Sequence, residues 1–130
     1  MDKDKALVRI AVVDDDHMLL GVFSSLMKKT NYHAHFFLDG PTALAKISAV
    51  RGHFHLVISD IRMPGMDGIE FATRVRAVEP NIPIIFMTGD VTEESRQAAL
   101  KLGHVVFLEK PFPLESTLKE FIPKLLKGEI

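Results

Sequence analysis

Short apolar runs alternate with amphipathic segments along the whole chain, and this alternation restricts the fold more than any other feature. Four runs, Leu7–Val13, Leu56–Ser59, Pro83–Met87 and Val105–Leu108, are rich in Val, Ile and Phe and nearly unbroken by polar residues. Strands buried on both faces read this way, whereas half-solvated strands alternate. A weaker fifth run, His33–Leu38, carries two histidines and is expected at a sheet edge. Between the runs, three sets recur at helical spacing: Leu19, Phe23 and Leu26; Ser95, Ala98, Ala99 and Leu102; Leu114, Leu118, Phe121, Ile122 and Leu125. Thr42–Ala49 and Gly68–Val78 fill the remaining gaps, and Gly40-Pro41, Gly52 and Gly103 punctuate them. Strand followed by helix, five times over, predicts a parallel sheet with helices on both faces. Pro123 lies inside the last stripe. There it removes a hydrogen bond and is expected to cost about 3 kcal/mol unless the helix kinks.

A chain of 130 residues, 47% of them hydrophobic, is expected to form one domain with a core of its own. It contains no cysteine. Disulfide scaffolds, cysteine-ligated zinc, iron–sulfur clusters and thiol nucleophiles are therefore excluded. Sixteen basic and seventeen acidic residues leave a net charge of −1, which gives no drive toward nucleic acid or an anionic membrane. No run approaches the ~18 apolar residues of a membrane span. The charged Met1–Lys5 segment is not followed by a signal-peptide stretch. The expectation is a cytoplasmic chain with no membrane partner and no direct contact with nucleic acid.

Ligand sites of open parallel sheets lie beyond the carboxyl ends of the strands. The apolar runs end in Asp14-Asp15-Asp16, in Ser59-Asp60, in Thr88-Gly89 and in Glu109-Lys110-Pro111. Clustered carboxylates repel unless a cation joins them. Hard oxygen donors with room for water suit Mg²⁺. A carboxylate beside such a metal can attack phosphorus and form an aspartyl phosphate. A lysine and a small hydroxyl donor would then neutralise the phosphoryl oxygens. Each residue also has a plainer reading. Asp16 can cap a helix, Asp60 can open the turn before Pro64-Gly65, Thr88 can begin a turn, Lys110 can be solvated and Phe107 can be core. The pairs His33-x-His35 and His53-x-His55 offer two metal ligands each, too few for a zinc site. Aspartates stand where a nucleotide-binding sheet carries a glycine-rich loop, which argues against nucleotide or flavin there.

Four strings taken together are specific: Ile10-Ala11-Val12-Val13-Asp14-Asp15-Asp16, Val57 through Gly68 with Asp60 and Met63-Pro64-Gly65 at its centre, Met87-Thr88-Gly89, and Phe107-Leu108-Glu109-Lys110-Pro111-Phe112. In this order and spacing the chain resembles the receiver domain of two-component response regulators, from about Val8 to Leu126. The resemblance implies one receiver domain over residues 1–130, with its core at about 8–126. It implies a three-layer, flavodoxin-like (βα)5 sandwich with sheet order 2-1-3-4-5. Asp60 would be the phosphoacceptor. Asp14, Asp15, Asp60 and the backbone carbonyl of Arg62 would hold Mg²⁺. Thr88 and Lys110 would meet the phosphoryl group, and Phe107 would be the aromatic that moves with them. Arg62 and Asp90 would tune how long the phosphoryl group lasts, and the Lys110–Pro111 bond would be cis. The segment Gly103–Phe107 departs from the usual family string, and Phe107 lacks a hydroxyl, so it would switch by packing alone.

The implied function is a signalling switch rather than a turnover enzyme. A sensor histidine kinase or phosphotransfer protein would donate the phosphoryl group, and an unknown downstream protein or effector domain would read the surface around the fourth helix, fifth strand and fifth helix. A haloacid-dehalogenase-type phosphatase needs an acid where Arg62 stands. A receiver-like module regulated without phosphorylation is the remaining alternative. Such modules usually lack one of the acid pair, acceptor or lysine, all of which are present. Only Lys127–Ile130 follow the last helical stripe, so the output is expected from a binding partner or from a longer protein of which this is a piece.

Overall fold

The computed structural model describes residues 8–89, 91–110 and 113–128. Its sheet holds β1 (Val8–Val13), β2 (Tyr32–Phe37), β3 (Leu56–Asp60), β4 (Ile84–Thr88) and β5 (Val105–Glu109), in the order β2-β1-β3-β4-β5. Every neighbouring pair is parallel. The connections carry α1 (His17–Met27), α2 (Gly40–Ala49), α3 (Gly68–Val78) and α4 (Glu93–Leu100). The last helix, α5, is built from Leu114–Ser116, Thr117–Phe121 and Ile122–Leu126.

Two cores explain the unbroken apolar runs. Alternate side chains of one strand enter opposite layers. Ile10 and Val12 pack with Leu20, Phe23 and Met27 of α1 and with Leu118 and Ile122 of α5. Ala11 and Val13 pack on the other face, against Ala43 and Ile47 of α2 and Phe71 and Val75 of α3. β3 and β4 are buried along their whole length. β2 is a half-buried edge, as its histidines suggested. β5 forms the other edge, as the order 2-1-3-4-5 implied, but its apolar run reads as covered on both faces and it is only half-buried. An apolar composition does not tell a strand that lacks an outer neighbour from one that has two.

Each of the first four helices begins on a side chain that satisfies its orphan N–H groups. Asp16 accepts from Met18 and Leu19, Asp39 from Thr42, Asp67 from Glu70, and Thr92 from Ser95. Asp16 is thus accounted for as a cap. Pro123 neither breaks nor ends the last helix. A single wide turn over Thr117–Phe121 precedes it, in which the Ile122 N–H donates to the Thr117 carbonyl five residues back. This places Pro123 in the first turn of the following α-helical piece, where no N–H is needed.

Arg76 of α3 ties the far end of the domain together. Its guanidinium donates to the carbonyls of Leu102 (3.0 Å), Glu79 (3.0 Å), Ile82 (2.7 Å) and Gly103 (2.7 Å). It thereby holds the turn where Gly103 and His104 take positive φ values of 70° and 53°. Replacing Arg76 with Met strands four carbonyls. Urea unfolding is expected to show a loss of about 1–3 kcal/mol.

Histidines gather at the amino-terminal edge of the sheet. The His35 ring lies edge-on to His53 at 5.7 Å and to Phe54 at 5.2 Å. The Nδ1 atom of His55 accepts from the Arg9 N–H at 3.0 Å, and the Arg9 side chain donates to the His53 carbonyl. Burial is the largest cause that lowers the pKa of His35, His53 and His55, and the Arg9 charge lowers all three further. A base whose folded pKa lies below its unfolded value favours folding above the unfolded value and loses that contribution as pH falls through the folded one. Stability is therefore expected to drop between about pH 7 and 5. Urea midpoints across that range should fall less steeply in His35→Asn than in the parent.

Candidate functional site at the carboxyl edge of the sheet

The central strands β1 and β3 end side by side, and β5 ends two strands away across β4. Asp14 follows β1, and its N–H still donates to the Phe37 carbonyl of β2 at 3.0 Å. Asp60 is the last residue of β3 and Thr88 the last of β4. Lys110 follows β5, and its N–H donates to the Thr88 carbonyl at 2.7 Å. Backbone pairing thus fixes all four positions before any side chain is considered.

The Lys110 Nζ atom donates to Asp60 Oδ2 at 3.1 Å and faces Asp14 Oδ2 at 3.6 Å. The other Asp60 oxygen accepts from the Arg62 N–H at 3.3 Å. Asp14 is fully buried, and its Oδ1 accepts from the Asp16 N–H at 2.9 Å. Its Oδ2 has no hydrogen-bond partner among the described residues. Asp15 is exposed. Asp14, Asp15 and Asp60 each offer a carboxylate oxygen, all within 4.8 Å of one another.

Charge and burial compete here. Burial is the main reason the Asp14 pKa is raised; the neighbouring Asp60 and Asp15 charges add to the rise, and the Asp16 N–H and Lys110 oppose it. Burial pulls Lys110 the other way, but its bond to Asp60 and the two carboxylate charges outweigh burial and raise its pKa. Hard oxygen donors open to water on one side, with one buried oxygen left without a hydrogen bond, fit Mg²⁺.

The structure brings Asp14, Asp15, Asp60, the Arg62 backbone and Lys110 to one place, with Thr88 buried at the neighbouring strand end. Phe107 stands further along β5, half-buried, paired across the sheet with Phe86. Asp90 and the Lys110–Pro111 bond involve positions outside the described residues. Two contributors escape a search for chemical groups. The Ser59 hydroxyl donates to the Asp60 carbonyl at 2.8 Å. Gly68 packs directly on the same backbone, where an added Cβ would sit 2.1 Å from the Asp60 oxygen. A glycine opening a helix, where propensity disfavours it, is the one signal the sequence offers.

A five-stranded parallel sheet of this order, with an acidic pocket and a lysine at its carboxyl edge, defines a flavodoxin-like α/β protein whose site suits a hard cation and an incoming anion. The sequence matches the response regulator receiver domain model over residues 10–122. It is 40% identical over 104 residues to the transcriptional regulatory protein FixJ of Bradyrhizobium diazoefficiens, covering 79% of this chain and 49% of that protein. It is 31% identical over 133 residues to the hybrid signal transduction histidine kinase L of Dictyostelium discoideum, covering 98% of this chain and 8% of that one. Among solved structures, the chemotaxis protein CheY4 of Vibrio cholerae matches with a TM-score of 0.80 and 32% identity, over 91% of this chain and 98% of that one. The chain belongs to the response regulator receiver domain family. It is a receiver domain of two-component signalling, phosphorylated on aspartate. Receiver domains are signalling switches that bind Mg²⁺ through acidic residues and interact with histidine kinases and effector domains. No helix among the described residues is long and apolar enough to cross a membrane.

A carboxyl group whose folded pKa lies above its unfolded value costs stability once both states are ionised, and that cost fades as pH falls through the folded pKa. Asp14→Asn removes the buried charge. In chelator-treated protein at neutral pH, the thermal midpoint of this variant is expected to lie above that of the parent. The gap should close as the buffer is made acidic.

Proposed function

We propose that Asp60 is the phosphoacceptor and that a sensor histidine kinase or phosphotransfer protein is the donor. The observation that carries this reading is the Lys110 ammonium held between Asp60 and the fully buried Asp14. An Asp60 carboxylate oxygen attacks phosphorus, the new O–P bond forms, and the P–N bond to the donor imidazole breaks with its electron pair leaving on nitrogen. The Arg62 N–H on Asp60 Oδ1 fixes the carboxylate plane during attack. Asp14, Asp15, Asp60 and the Arg62 backbone carbonyl would hold Mg²⁺, which supplies positive charge against the carboxylates and the phosphoryl oxygens.

Once the phosphoryl group is in place, Lys110 exchanges its bond to Asp60 for one to a phosphoryl oxygen, and the Thr88 hydroxyl donates to another. Phe107 follows Thr88 inward, and the surface of α4, β5 and α5 changes its affinity for an unidentified downstream protein or effector domain. Arg62 and Asp90, two residues beyond Asp60 and Thr88 in sequence, tune the phosphoryl lifetime. The chain makes and loses its own aspartyl phosphate but turns over no other substrate. We place it in the cytoplasm as one receiver unit over residues 1–130, with its core at about 8–126. It spans about half of FixJ and far less of the histidine kinase.

Intact mass after incubation with acetyl phosphate tests the assignment. One phosphoryl adduct is expected with Mg²⁺, little without it, and none in Asp60→Asn. An adduct of equal yield in Asp60→Asn would move the acceptor elsewhere.

A further inference from the structure

The guanidinium of Arg96, on the exposed face of α4, lies 5.8 Å from the centre of the Phe107 ring. Among the described residues the Arg96 side chain forms no ion pair and no hydrogen bond, so the ring is its one specific contact. Phe107 in turn lies between two neighbours. Its ring sits 5.7 Å from that of Phe86, tilted by 33°. Phe86 is fully buried, so the core holds one side of Phe107 and Arg96 covers another. A cation over an aromatic face is attracted by the ring quadrupole, most strongly where water is partly excluded. Phe107 is half-buried but the guanidinium is exposed, so the contact falls at the weaker, exposed end of that range.

The contact matters because α4 is lightly held. Ala99 is its only buried residue, and Leu100 is 56% exposed. The capping box of Thr92 and Ser95 stabilises α4 itself but not its attachment to the sheet. Arg96 is therefore one of few side chains that fix α4 against β5.

We propose that Arg96 is a positioning residue: its cation–π contact latches Phe107 and α4 in the resting arrangement and so sets how readily phosphorylation moves them. The proposal rests on Phe107 being the aromatic that moves. Inward movement of the ring takes it from under the guanidinium, so the latch opposes the switched state. Coupling is reciprocal. Whatever weakens the latch favours the switched state and raises the fraction of molecules ready to accept phosphate.

Two readouts on the full chain test this. The first is the Phe107 ring signal in protein carrying ¹³C-labelled phenylalanine, assigned by its absence in Phe107→Leu. Arg96→Met should shift that signal in unphosphorylated protein, and Arg96→Lys should shift it less. The second is the rate of adduct formation with acetyl phosphate and Mg²⁺. Arg96→Met should raise it about two- to fivefold, the ratio an exposed cation–π contact is worth. Arg96→Lys should fall between the two. In a Phe107→Leu background Arg96→Met should have no further effect. An unmoved ring signal in Arg96→Met, or an equal acceleration in the Phe107→Leu background, overturns the latch. If the parent accepts no phosphoryl group at all, the assignment of Asp60 fails instead, and the ring signal of the unphosphorylated protein still decides the role of Arg96.

Discussion

Like charges converge where β1 and β3 end, and Lys110 stands between two of them. Removing water from a carboxylate favours its protonation, and a second carboxylate nearby favours it further. Asp14 meets both conditions, and the Asp16 N–H together with the ammonium 3.6 Å away opposes the rise in its pKa. That ammonium reaches it from β5, two strands from β3, because the Lys110 N–H is tied to the Thr88 carbonyl at the end of β4. The strand order does more than shelter the core. It carries one cation across a neighbouring strand to meet the carboxylates of two others.

The opposite edge of the sheet follows a different chemistry. Arg9 and the histidines there hold one another through ring contacts and backbone bonds, and burial keeps their bases short of protons. Arg76 closes the next corner by collecting carbonyls from Glu79 at the end of α3 and from the turns before β4 and β5. Both are structural devices, and neither shares a contact with the carboxylate site.

The layers and the acidic site were legible because each rests on a short-range pattern, whereas the strand order follows only from the resemblance to receiver domains. Doubly buried strands read as unbroken Val and Ile, and strand ends collect the polar groups. Four features were not legible, each for a physical reason. The half-burial of β5 is hidden because Val105–Leu108 is as apolar as the fully buried β4. The outcome at Pro123 is hidden because proline forbids one bond without choosing among the ways a helix can do without it. The wide turn that begins at Thr117, anchored to the Pro113 carbonyl at 3.0 Å, is one such way. Arg76 and Arg96 are hidden because an arginine on a helix reads as solvated until the tertiary structure supplies carbonyls or a ring. Asp14 and Asp15 are adjacent and identical, and only the folded chain beyond β1 buries one and leaves the other in water.

Gly68 has no side chain because the Asp60 carbonyl fills that space. The Gly68 N–H is also bonded to the Ile61 carbonyl at 2.8 Å. The first turn of α3 and the last residues of β3 therefore behave as one solid piece, with no compressible layer between them. Interiors packed this closely transmit displacement instead of absorbing it. Any side chain added at Gly68 would have to push the Asp60 main chain aside, and with it the carboxylate that Lys110 holds.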